Sequence, residues 1–234
     1  MARLDVLLAR NLGWSRANAR AAIDDGRVSI AGVPATDPRA DVDAVRPIEA
    51  RVDDEPVGLF DVARVLLNKP IGCVTALRDP RLPTAYALLR DAPLHGELRA
   101  IGRLDVDTSG LLLWTTDGAE IQRLTHPKRA VPRTYHAALA RPHQPLPADL
   151  VLDDGHRPRV DDLSPLARAD AHPSLAVPAD ATELASITIT GGAYHEVRRI
   201  FAALGSHVVG LCRVRFGDLE LPRDLPAGGY RVLP

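Results

Sequence analysis

The residues best suited to chemistry are Asp105 and Asp107, which stand two apart in GRLDVDTSGLLL (102–113). Arg103 lies two positions before Asp105, and in extended chain both side chains leave the same face. A Thr-Ser-Gly turn follows, then an apolar run. A carboxylate on a short loop beside a buried strand can act as nucleophile or base, and a neighbouring guanidinium favours its ionised form. The same aspartates also read as plain turn formers. A hydrolase built on two carboxylates lacks a second acid at suitable spacing. Cys73 and Cys212 have no partner spacing, and the eight histidines show no ligand pattern, so neither a disulfide framework nor a metal site is expected. No phosphate-cradling glycine loop or flavin motif is present, and no cofactor is expected.

Several elements must position that loop. Leu111 to Thr115 reads as a central strand, apolar on both faces. Val62 to Leu67 is an apolar strand running into Asn68-Lys69-Pro70. Thr84 can cap a short helix through Leu89, and Asp117-Gly118 opens another that stops before Pro127. Thr134 to Ala140 and Leu184 to Thr190 alternate like half-buried strands. Val197, Ile200, Phe201 and Leu204 form a helical stripe that Gly205 ends. Cys212, Val214 and Phe216 alternate with Arg213 and Arg215, a strand with one cationic face. Residues 142–182 read as loop-rich.

The first 45 residues read as a separate unit. Leu4, Leu7, Leu8 and Leu12 share one helical face, and Gly13 ends it. Ser15 caps a second helix through Asp25, with Ala19, Ala22 and Ile23 inward. A short strand at Val28–Ile30 ends near Gly32. Arg16 and Arg20 lie on one helix face, and Arg3 and Arg27 can join them. Residues 46–61, with Glu49, Asp53, Asp54 and Glu55, read as an acidic linker holding one strand at most. With 29 basic and 30 acidic residues in 234, the net charge is −1, so nucleic-acid binding must come from local patches. No early apolar segment or apolar run of about 18 residues occurs, so a cytoplasmic protein without a membrane contact is the default. No coiled-coil pattern appears, and a monomer is expected.

GRLDVDTSGLLL resembles the catalytic motif of RNA pseudouridine synthases, G-R-L-D-x-D-T-[ST]-G-L. LLNKPIGCVTA (66–76) is similar to that family's L-N-K-P-x-G signature, RTYHAAL (133–139) to its [KR]-T-Y segment, and GGAYHEVRRIFAALGSHV (191–208) to its third motif. RVRFGDLEL and DLPAGGYRVL match its C-terminal segments. Residues 1–45 resemble the alpha-L RNA-binding domain of the ribosomal-protein S-four type. Domain order points to the ribosomal small-subunit pseudouridine synthase A (RsuA-like) family. The resemblance implies an α+β fold: a small RNA-binding domain (1–45), a linker (46–61), and a mixed, mainly antiparallel-sheet catalytic domain (62–234).

It also implies roles. Asp105 acts on the ribose, either as nucleophile or by removing a ribose proton. Arg198 pairs with Asp105, Arg103 lies near the flipped nucleotide and its phosphate, and Tyr135 stacks under the uracil. Leu211 lines the uracil pocket. Lys69, Arg213 and Arg215, with Arg3, Arg16, Arg20 and Arg27 of the N-terminal unit, are the expected RNA-phosphate contacts. His195 is read as structural and Asp107 as a loop cap. Arginine stands at 133 and 198, where some relatives carry lysine. Tyr194-His195 resembles the small-subunit branch, which implies one uridine of 16S rRNA, in RNA or a precursor particle. A 23S rRNA enzyme of the same family and a non-catalytic rRNA-binding factor are the alternatives.

Overall fold

The computed structural model describes residues 1–234. A two-residue strand β1 (Ala2–Arg3) leads into helix α1 (Leu4–Leu12), whose Leu4, Leu7 and Leu8 are fully buried. Gly13 ends α1 in the left-handed region (φ 65°), where a residue without Cβ is unstrained. Helix α2 (Arg16–Asp24) starts at Ser15, whose side chain accepts from the Asn18 amide. Four strands follow: β2 (Val28–Ile30), β3 (Val33–Pro34), β4 (Asp41–Val42, paired with β1) and β5 (Ile48–Val52). Strand β6 (Glu55–Leu59) completes a four-stranded sheet of order β3-β2-β5-β6.

The expected linker at 46–61 is therefore an integral hairpin of this unit. Ala50, Val52 and Leu59 are buried in one apolar cluster with α1 and α2. Asp53 and Asp54 both take positive φ (51° and 66°), the two-residue turn that matches strand twist. Pro56 is tolerated because β6 is an edge strand. Its four acidic residues sit at Glu49, in the Asp53-Asp54 turn and at Glu55, all exposed, which is why composition alone reads as linker.

The second unit is one nine-stranded sheet. Its strands are β7 (Arg64–Lys69), β8 (Arg99–Ile101), β9 (Thr108–Thr115), β10 (Arg133–Leu139), β11 (Val160–Pro165), β12 (Glu183–Ile189), β13 (Val208–Phe216), β14 (Leu219–Glu220) and β15 (Tyr230–Leu233). The spatial order is β11-β12-β10-β13-β9-β7-β15, with β8 on β9 and β14 on β13. Every pairing is antiparallel except β13 with β9, at the middle of the sheet. All eight residues of β9 are buried, as its two-sided apolar pattern requires. Leu112 and Trp114 enter one core and Leu111 and Leu113 the other. Helix α3 (Gly118–Thr125) is capped by the Asp117 side chain. Helix α4 (Glu196–Ala203) lays Val197, Ile200 and Phe201 on the larger core. The turn at Ala85–Leu89 is 3-10 rather than α, capped by Thr84, and the loop-rich 142–182 stretch contains β11.

Gly110 makes the parallel pairing possible. Its φ is +105°, and a Cβ there would overlap the Arg213 carbonyl and sit 2.8 Å from the Arg213 amide nitrogen. Any side chain would push β9 and β13 apart.

Candidate active site

The loop before β9, the start of β10, the turn into α4 and the middle of β13 surround a cleft of about 470 Å3. That volume lies in the ordinary range of small-molecule sites. Asp105, Arg103, Tyr135, Arg198 and Leu211 all line it. Tyr135 and Leu211 are buried at its apolar side, Asp105 is half-buried, and Arg103 is exposed at the rim.

The Asp105 loop is pinned from several sides. Thr75 Oγ1 donates to the Leu104 carbonyl (2.9 Å) and accepts from the Leu104 amide (3.1 Å). The Gly72 amide donates to Val106 O (2.7 Å) and the Thr108 amide to Asp105 O (3.1 Å). Lys69 lies beneath, with no exposed surface. Its Nζ donates to the carbonyls of Pro70 (3.0 Å), Asp105 (3.0 Å) and Thr108 (2.9 Å), using all three of its N–H groups. Burial lowers the Lys69 ammonium from its ordinary value, while nearby Cys73, Asp105 and Asp107 oppose that shift. Lys69 is thus a clamp on the loop and not an RNA-phosphate contact: the side chain is buried and its three N–H groups are all held by backbone carbonyls.

Arg198 also departs from expectation. It pairs with Asp107 (2.9 Å) instead of Asp105, and its guanidinium lies near the Val208 and Asp107 carbonyls. The side chain facing Asp105 is His195, whose Nε2 lies 3.5 Å from Asp105 Oδ1. His195 precedes α4 in the left-handed region (φ 49°), which turns its ring back over the loop. Tyr194 is 77% exposed and stacks on that ring, centroids 3.8 Å apart. The turn itself is built around buried Glu196, which accepts from the Ala193 amide and meets His156 Nε2 at 2.9 Å. A side chain at Gly191 would overlap the Glu196 carboxylate. Asp107, expected to cap the loop, has its carboxylate on Arg198. The signal for His195 was its place one turn before Arg198 on the same stretch, but nothing in the sequence shows the positive φ that aims it.

The expected cationic face of β13 divides. Arg213 is 2% exposed and lines the cleft floor, with its Nε donating to Leu111 O (2.8 Å), whereas Arg215 is exposed with its Nε on Gly217 O. Arg213 is thus no surface phosphate contact, because strands on both sides of β13 bury it. Arg133, at the start of β10, also lines the cleft and donates to the Gly191 carbonyl.

In the N-terminal unit, Arg3, Arg16 and Arg20 converge on one buried carboxylate, Asp5, at 3.0, 3.4 and 2.8 Å. Burial pushes the Asp5 carboxyl up, but hydrogen bonds from Arg20 and Arg3 and the charges of Arg3 and Arg16 outweigh it and hold it below its ordinary value. Three cations over one anion leave a positive, partly exposed patch. Arg27 stands apart, paired with Asp53 at 2.5 Å.

Comparison with known proteins gives this arrangement a family. The family described as RNA pseudouridylate synthase matches residues 63–203, and the S4 domain matches residues 2–44. Ribosomal small subunit pseudouridine synthase A of Haemophilus influenzae is 36% identical over 99% of this chain and 95% of its own length. The protein of the same name from Escherichia coli is 35% identical over 99% of this chain and 96% of its own. A solved pseudouridylate synthase structure superposes over 100% of this chain and 96% of its own, with a TM-score of 0.56 and 32% identity. No helix is long and apolar enough to cross a membrane. The chain thus carries an N-terminal S4 domain and belongs to the RNA pseudouridine synthases, isomerases that convert uridine in RNA to pseudouridine.

Proposed function

We propose that this enzyme isomerises one uridine of 16S rRNA, as RNA or within a small-subunit precursor particle, acting as a cytoplasmic monomer. The observation that carries the reading is the single cleft in which Asp105 and Arg103, on a loop clamped from below, meet Tyr135 of β10 and Leu211 of β13. The target nucleotide leaves its stack and enters base first, because its reacting bond is shielded inside a helix. Tyr135 and Leu211 hold the uracil, Arg103 holds phosphate at the rim, and Asp105 acts on the ribose. A carboxylate on a fixed loop loses little time to wrong geometries, which is the advantage of positioning. The Tyr194-His195 pair and the names of the 36% and 35% identical relatives support 16S over 23S rRNA.

The patch of Arg3, Arg16 and Arg20 supplies phosphate contacts that place the enzyme without reading bases. The test is pseudouridine mapping of 16S and 23S rRNA in cells lacking the protein, complemented with wild type or Asp105→Asn. One 16S uridine modified only by wild type is the expected result. A site in 23S overturns the choice of rRNA, and no change in either overturns the rRNA reading.

A further inference from the structure

The cleft floor holds two guanidiniums with no carboxylate partner. Arg213 is buried, and its Nη2 has no hydrogen-bond partner at all. Arg133 lines the same cleft, and the guanidinium carbon of each arginine is 5.1 Å from the centroid of the Phe216 ring. Burial lowers the Arg133 guanidinium from its ordinary value, Arg213 lowers it further, and Tyr135 and Glu196 oppose the shift, so all four groups share one small space. Arg213 and Tyr135 are also cross-strand partners in the β10–β13 register, which sends both side chains to one face. A buried donor without an acceptor is costly, and two adjacent unpaired cations are costlier still. Glu196 and the Gly191 and Leu111 carbonyls offset part of this cost, and an anion entering the cleft would offset the rest.

Depth decides which anion. The phosphates of a flipped nucleotide continue into the chain and stay at the mouth, where exposed Arg103 stands. The group that reaches the floor is the edge of the base. Uracil is neutral when it arrives, but it does not stay so. Breaking C1′–N1 leaves the bonding electron pair on the base, as a monoanion spread over N1, O2 and O4. The same anion forms whether Asp105 bonds to C1′ or takes the C2′ proton. On the first route C5 of the turned base attacks C1′ and the bond from C1′ to the Asp105 oxygen breaks, freeing the carboxylate. On the second, C5 bonds to C1′ as the C2′ proton is returned from Asp105. On both, C5 then loses its proton to solvent and N1 gains one from solvent.

We infer that Arg133 and Arg213 are catalytic residues that stabilise the detached uracil anion while it turns. Guanidiniums carry only donors, so they meet the O2 or O4 carbonyl of bound uridine weakly and the anion strongly. Interactions that strengthen as charge develops raise kcat and leave ground-state binding little changed. The inference rests on the proposed placement of the base against Tyr135.

The experiment compares full-length wild type, Arg133→Gln and Arg213→Lys on rRNA transcripts, following tritium release from 5-tritiated uridine and, separately, Kd against salt. Wild type is first run on 16S and 23S transcripts, and the variants on whichever it converts, so a wrong choice of rRNA shows in wild type alone. Arg133→Gln is expected to lower kcat by about 100- to 1,000-fold with Kd changed less than about threefold. The defect shrinks at least tenfold when the transcript carries 5-fluorouridine, whose base leaves as a more stable anion, read as loss of 5-fluorouridine from nuclease digests. Arg213→Lys keeps the charge in the buried site and reports whether the fork geometry matters, with thermal unfolding checking the fold. An equal defect on both bases overturns the inference. A raised Kd with a shallower salt slope and unchanged kcat overturns it as well, and makes these arginines phosphate contacts.

Discussion

Replacing Lys69 by Met separates a loop clamp from an RNA contact. Methionine keeps most of the apolar stem, so packing is nearly preserved, but three carbonyl oxygens lose a donor: Pro70, Asp105 and Thr108. An orphaned buried acceptor costs about 1–3 kcal/mol. Thr108 and Asp105 keep other backbone ties, and removing a buried ammonium relieves its desolvation, so the net loss is about 3 kcal/mol rather than the full sum. For a chain of this length that lowers Tm by roughly 6–12 °C. The catalytic effect is larger than the stability effect suggests. Freed of its clamp, the loop relaxes on the scale of 1 Å, and misplacement of that size costs about 100-fold in rate. Single-turnover kinetics at saturating RNA, filter binding across a salt series and thermal unfolding read the three consequences. The reasoning predicts a rate loss of about 100-fold, a lowered Tm and an unchanged salt slope. A salt slope reduced by about 0.7–0.9, with the single-turnover rate intact, is the signature of one lost phosphate contact and refutes it.

Three further outcomes follow from the same geometry. Gly110→Ala forces a Cβ into the Arg213 backbone at a positive φ and should destabilise the catalytic unit by at least about 3 kcal/mol in denaturant unfolding; a near-neutral result would show that β9 and β13 can separate freely. A double-mutant cycle between Arg198→Ala and Asp107→Asn should give a coupling of about 0.5–1 kcal/mol, while the same cycle with Asp105→Asn gives none; the reverse pattern places Arg198 on Asp105. Asp5 sits below its ordinary value of 3.8 when folded, so its ion pairs add stability above that pH and lose it as acid protonates the folded carboxyl. Unfolding of the N-terminal unit should therefore steepen below pH 3.8 in wild type and flatten there in Asp5→Asn, followed by circular dichroism.

Local rules carried much of the fold. Leu4, Leu7, Leu8 and Leu12, ended by Gly13 and followed by Ser15, specify two helices by spacing and caps alone. The apolar run of β9 and the stripe of α4 are equally local signals. What escaped depends on partners distant in sequence. Lys69 reads as a surface cation until Asp105 and Thr108, nearly forty residues on, supply its acceptors. Arg198 has two aspartates within reach by motif; it pairs with Asp107, while the ring of left-handed His195 faces Asp105, an arrangement spacing alone does not specify. The hairpin at 48–59 hides because two aspartates make a turn usually marked by Asn-Gly, and because Pro56 and Gly58 interrupt the strand pattern of β6. Arg213 reads as exposed by alternation and is buried by β9 and β10 on either side.

The single parallel pairing in the sheet sets a timetable. Asp105 precedes β9, but β9 closes on β13 about a hundred residues later, and β7 waits for β15 near the end of the chain. Contacts of such sequence separation form slowly. At roughly 5–20 residues per second, the wait between synthesis of Asp105 and of Arg213 is on the order of ten seconds. The N-terminal unit draws its core from the first sixty residues and has no such wait. In a nascent chain the S4 domain therefore takes its fold well before the cleft exists, and Asp105 stands without its surroundings until the last strands arrive.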